Sequence, residues 1–174
     1  MRFDDRTIPR GLLFFWAAWL SLVTLTNVLD GLKSLRMMPT GWAFASGNYA
    51  FMASVTAKYG TPTAVTATLF VGVVAWELLA AILFWRAFAA HRADSAAAGE
   101  AVRSAFTVSL ALWAAFMLAD EVFFAFDAEG THVHLLIAQL ASLLTILWLA
   151  RNGFTEGPHP ARQGSPPSPT SGRG

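Results

Sequence analysis

Apolar residues gather into four long runs separated by short polar stretches, roughly 11–32, 62–86, 104–126 and 133–150. Each reaches or approaches the twenty or so residues that carry a helix across a bilayer. Lipid offers the backbone no hydrogen-bond partner, so a helix is the form such a run takes there. The pattern predicts an all-α, integral membrane, up-down four-helix bundle over 1–151. The first helix starts after Pro9, and Gly31, Pro39 and Gly41 end it. The stretch 33–60 is long for a bundle loop. Trp42, Ser46, Tyr49, Met52, Val55 and Tyr59 recur there every three or four residues, the helix period. This predicts a short amphipathic helix in the first outer loop, with Gly47-Asn48 as a point of interruption. His91–Glu100 reads as a solvated turn and Asp127–Gly130 as a tight acidic loop. From Asn152 to Gly174 the chain is mostly Pro, Gly, Ser and Arg, a composition expected to form a disordered cytoplasmic tail.

Composition agrees with this picture. Charged residues are 13% of the chain, about half the usual share in soluble domains, and the mean hydropathy is +0.49. A net charge of +1 without a basic stripe argues against a nucleic-acid partner. The lack of cysteine excludes disulfides, thiolate nucleophiles, thiolate zinc sites and iron–sulfur clusters. Arg2, Arg6, Arg10, Arg86, Arg92, Arg103, Arg151, Arg162 and Arg173 flank one side of the expected bundle. Only Lys33, Arg36 and Lys58 flank the other. The positive-inside rule then puts both termini in the cytoplasm of a multi-pass inner-membrane protein. The N-terminal segment reads as a retained helix, because its apolar run is too long for a signal peptide. Small residues four apart (Ala17 and Ser21; Ala64, Thr68 and Gly72; Ala111, Ala115 and Ala119; Ala138 and Ser142) suit close helix packing within the bundle or in a homo-oligomer.

The chemistry of interest is polar and lies inside the apolar runs. A carboxylate at mid-bilayer costs about 2.5–3.5 kcal/mol on the insertion scale, so each needs a partner or a proton. Glu77 lies within the second run, and Asn27, Thr24, Thr26 and Gln139 are its expected partners. Counting residues sets it about 22 Å from the outer start of its helix, deeper than the other acids. The outer ends of three helices carry Asn27 and Asp30, then Asp120 and Glu121, then His132 and His134. His134, His132, Glu121 and Asp120 have the ligand chemistry of a metal site for zinc, copper, manganese or non-haem iron. His132 and His134 are two residues apart, so they share an ion only if the fourth helix begins after His132. The spacing differs from the Glu-x-x-His pattern of di-iron bundles. Haem is disfavoured, because no two helices each carry a central histidine. No serine-hydrolase motif, phosphate loop or dinucleotide fingerprint occurs, and no cofactor is assigned.

Asn27-Val-Leu-Asp30, Asn48-Tyr-Ala-Phe51, Trp76-Glu77, and Trp113 with Glu121-Val-Phe123 follow one another along the chain. This order resembles a bacterial family of small four-helix integral membrane proteins of unknown function. The resemblance covers about residues 15–150 and implies a topology without an activity. A histidine usual after the second Asn is replaced by Met52-Ala-Ser-Val. Two kinds of function are therefore expected. The first is a structural or accessory component of a membrane assembly, in contact with lipid and with a membrane-protein partner or further copies of itself. The alternative is a membrane-embedded redox or metal-dependent enzyme, or a proton-coupled carrier acting as an oligomer through its intramembrane carboxylates.

Overall fold

The computed structural model describes residues 6–39 and 41–152. They form five α-helices and no strand: α1 (Thr7–Ser34), α2 (Asn48–Ala57), α3 (Thr63–Arg92), α4 (Ala98–Phe123) and α5 (Phe126–Asn152). All but α2 are long and apolar enough to cross a membrane. The expected tail lies outside the described residues, except for Asn152, which closes α5.

The long helices extend past the apolar runs at most ends. The expected loop at Asp127–Gly130 is instead the first turn of α5, and α4 stops three residues earlier than the apolar run does. Two causes are visible. Phe124 adopts a left-handed backbone (φ 51°) that ends α4 and leaves room for only a short corner. Asp127 and Glu129 then sit in the first turn of α5, where a helix dipole favours negative charge. The turn at 91–100 shrinks likewise, because α3 runs on through Arg92 and α4 starts at Ala98.

The helix in the 33–60 stretch is also shorter than its periodicity suggests. Trp42 and Ser46 precede it, and Gly47 (φ 79°) sets its start rather than interrupting it. Only glycine takes that backbone conformation without a steric penalty.

α1 packs on α3, α3 on α4, and α4 on α5, while α5 also touches α1. Along the first pair, Phe14 meets Trp85 and Phe88, Trp85 donates to the Ser21 hydroxyl, and Gly31 lies against Phe70. A Cβ at Gly31 would come within 3.3 Å of the Phe70 ring, so glycine permits that close approach. The apolar core is built of Leu13, Ala17, Leu20, Phe84, Phe106 and Leu112, with the Phe84 and Phe106 rings edge to face at 4.9 Å.

α2 lies across one end of the long helices. The Tyr49 ring packs edge-on to Phe70, and the hydroxyls of Thr56 and Thr66 are 2.9 Å apart. After α2, Lys58 donates to the carbonyls of Phe123 and Phe124, and the Tyr59 hydroxyl donates to that of Val122. Those carbonyls end α4 and have no intrahelical donor, so the segment 46–59, a strap built around α2, completes a terminus that would otherwise be left open. At the opposite end Arg6 pairs with Asp94 in the α3–α4 turn, with Arg10 4.0 Å from the same carboxylate.

Exposure is inverted relative to a soluble bundle. Leu118, Val71, Leu144 and Leu22 are more than half exposed, while Asn27, Glu77, Asp120 and Gln139 are at most 5% exposed. Apolar side chains outside and polar ones inside is the arrangement a lipid solvent selects, compatible with a multi-pass membrane protein.

Candidate functional site

The largest polar cluster joins α1, the strap and α3. The Asn27 amide nitrogen donates to both Glu77 carboxyl oxygens, at 2.9 and 2.7 Å. Asn27 Oδ1 in turn accepts from the Asn48 amide at 2.8 Å. One turn beyond Asn27, the Asp30 carboxylate accepts from the Tyr49 backbone N–H at 2.7 Å and the Ser46 hydroxyl at 3.3 Å. Asp30 thereby caps the N-terminus of α2 from another helix, and its charge meets the positive end of that helix dipole. Ser46 closes the cluster, accepting from the Asn48 N–H while its own N–H donates to the Thr26 carbonyl.

Asn27 is thus the partner chosen for Glu77. Thr24 and Thr26 return their hydroxyls to carbonyls of α1, and Gln139 has no hydrogen bond to Glu77. Residue counting set Glu77 deeper than Asn27, yet the direct bond puts them level. Asn27 lies seven residues before the end of α1 and Glu77 fourteen after the start of α3, so α3 reaches further at that end. An offset between helices cannot be read from the residue count of either one.

A second cluster joins α4 and α5. His132 Nδ1 lies 2.5 Å from Asp120 Oδ2, with both side chains largely buried. The imidazole stacks on Phe116 at 4.7 Å and on Trp113 at 6.3 Å. Glu121 and His134 do not join them. Each is exposed, because one or two helical steps turn a side chain to a different face. α5 begins at Phe126, well before His132, so the condition for the two histidines to share an ion is not met. Among the described residues no three His, Asp or Glu side chains gather closely enough to hold a metal ion. Asp120 and His132 could supply two ligands.

Further along α4 and α5 lie buried groups that have no partner. Gln139 is fully buried with neither amide atom hydrogen-bonded, and the Ser109 hydroxyl and Trp113 Nε1 are likewise buried and unbonded. An unmet buried group costs roughly 1–3 kcal/mol. Two surface depressions lie elsewhere. One is an apolar groove of about 480 Å³ between α3 and α4 beside Trp76 and Val108, and the other lies beside Arg86 and Glu100.

Sequence reasoning missed the structural parts of both clusters. Asn48 entered only as a point of interruption and through a family resemblance, although its place after Gly47 marks a helix start. The ring stack on His132 had no signal beyond Trp113 and Phe116 lying seven and four residues before Asp120, on its helix face. Four of the residues quoted for that resemblance (Asn27, Asp30, Asn48, Glu77) meet in a single hydrogen-bonded cluster, while Trp113 and Glu121 lie outside it. Comparison with family models, curated proteins and solved structures gives no match, so the function is argued from geometry.

Proposed function

We propose that this chain is a small inner-membrane protein serving as a structural or accessory component of a membrane assembly. Its long helices form an up-down bundle over 1–151 with both termini cytoplasmic, and α2 is the helix of the first outer loop. The antiparallel reading is supported by the residue pairs, since rising numbers on α1 meet falling numbers on α3. The excess of arginine at the Arg6–Asp94 end supports the orientation.

One observation carries the accessory reading. The Glu77–Asn27–Asn48 chain and the Asp30 cap turn inward on each other. Groups so engaged hold helices in register and leave no acceptor aimed at a cavity. Outward, α5 is the barest span, with 17% of its most apolar window buried against 33% for α1 and α4. The Ala64–Thr68–Gly72 row on α3 is exposed, so a helix of another subunit can approach it closely. The test is extraction of the full chain from its own membranes directly into lipid nanodiscs. A fixed-ratio complex with another membrane protein, or with further copies of this chain, is expected. A lone monomer at native abundance overturns the reading.

The buried Asp120–His132 pair favours a second reading, a proton-coupled carrier acting as an oligomer, because an acid and an imidazole in contact can pass a proton. Substrate-dependent proton uptake into vesicles that is abolished by Asp120→Asn would support this over the accessory role. A metal-dependent enzyme would need a third ligand brought to Asp120 and His132.

A further inference from the structure

The unpartnered groups of the α4–α5 seam fall in a regular order. Asp120 and His132 meet across the two helices. Two helical turns before Asp120 stands Trp113, and two turns after His132 stands Gln139, each on the same face as its helix mate. The two helices lead away from their shared corner, so helix spacing sets both residues on the dyad's side of their helices, about two turns below it. The Trp113 ring packs against His132 and against Trp19 of α1, at 6.3 and 5.8 Å between ring centroids. A further turn down stand Ser109 on α4 and Ser142 on α5. Ser142 accepts from Trp16 Nε1 at 3.0 Å and donates to the Ala138 carbonyl, whereas Ser109 is unbonded. Below Ser109, Phe106 against Phe84, with Leu13, closes the interior with hydrocarbon.

We propose that this seam is an internal hydration site, in which ordered water bridges Gln139, Trp113 Nε1 and Ser109 beneath the Asp120–His132 pair. The chemistry of the donors selects the ligand. Trp113 only donates, Gln139 offers both donors and an acceptor, and the serine hydroxyl does both. None of the three carries a charge, so the ligand is neutral. All are at most 3% exposed, so it is small. Water satisfies such a set with two to four hydrogen bonds. The site is blind at the Phe84–Phe106 end and communicates with the polar end of the bundle through Asp120 and His132.

Radiolytic footprinting of the full chain in nanodiscs tests this. Hydroxyl radicals made by an X-ray pulse oxidise a buried side chain where water lies beside it. Trp113 should be oxidised in the unaltered protein while Phe84 and Phe106 are not, and Gln139→Met should lower Trp113 labelling by about threefold or more as the water loses its main partner. The same variant should lower the melting temperature. Trp113 left unlabelled in the unaltered protein overturns the proposal. So does a raised melting temperature in Gln139→Met, the result expected if that amide is simply stranded among dry side chains.

Discussion

Asn27 does two jobs with one amide. Its nitrogen serves the Glu77 carboxyl and its oxygen holds Asn48. Asn27→Leu keeps the volume but leaves Glu77 and Asn48 without their partner. The expected loss is about 2 kcal/mol, near the upper end for buried polar contacts between membrane helices. Glu77→Gln still offers Asn27 an acceptor oxygen, and should cost under about 1 kcal/mol. Reversible unfolding in mixed micelles measures both, and a larger loss for Glu77→Gln would show that the carboxyl is required for itself. At this scale the sequence was most informative where lipid penalises polarity. Glu77 and Asn27 could be picked out because strongly polar side chains are scarce in their runs. Gln139 was picked out for the same reason, as one of four candidate partners for Glu77, but which of them meets the carboxyl depends on how each helix is rotated. Ser109 was invisible, because serine is ordinary in such helices.

The elements divide in the same way. Hydropathy located all four long helices, because it measures the solvent they face. It misplaced their ends, because charged residues such as Asp127, Glu129 and Arg92 look like loop yet complete helical turns. α2 shows the converse. Its period was legible, but its start depends on Gly47 and on Asp30, a residue eighteen positions earlier. Asp30→Ala removes the acceptor for the Tyr49 N–H and should cost about 1 kcal/mol, the usual price of a lost cap. Asp30→Asn retains an acceptor oxygen and should cost less. Gly47→Ala forces a Cβ into a left-handed backbone and should destabilise the strap by about 1 kcal/mol. Hydrogen exchange distinguishes these from global effects. Amides of α2 (Asn48–Ala57) should exchange faster in Asp30→Ala and Gly47→Ala while those at the centre of α3 stay protected. Uniform acceleration along the chain would mean that α2 is no separate unit but part of the core.

For the whole molecule, the strap and the Arg6–Asp94 pair mark opposite ends of the long helices, and the topology can be tested there. The chain has no cysteine, so a single introduced thiol reports one position without background. Met37 is 70% exposed just after α1, and Ala96 is exposed in the turn between α3 and α4. Only α3 crosses between these positions, together with the short α2. If α3 spans the bilayer, a thiol at 37 and a thiol at 96 lie on opposite faces. The proposed orientation further sets Met37→Cys outside and Ala96→Cys inside. In intact spheroplasts a membrane-impermeant maleimide should label the first at once and the second only after permeabilisation. Reversed labelling would keep the crossing but invert the orientation, and the arginine excess at the Arg6–Asp94 end would then have misled. Labelling of both from one side would mean that α3 does not cross. The inverted exposure of the whole molecule, with Glu77 inside and Leu118 outside, would then need a cover other than lipid.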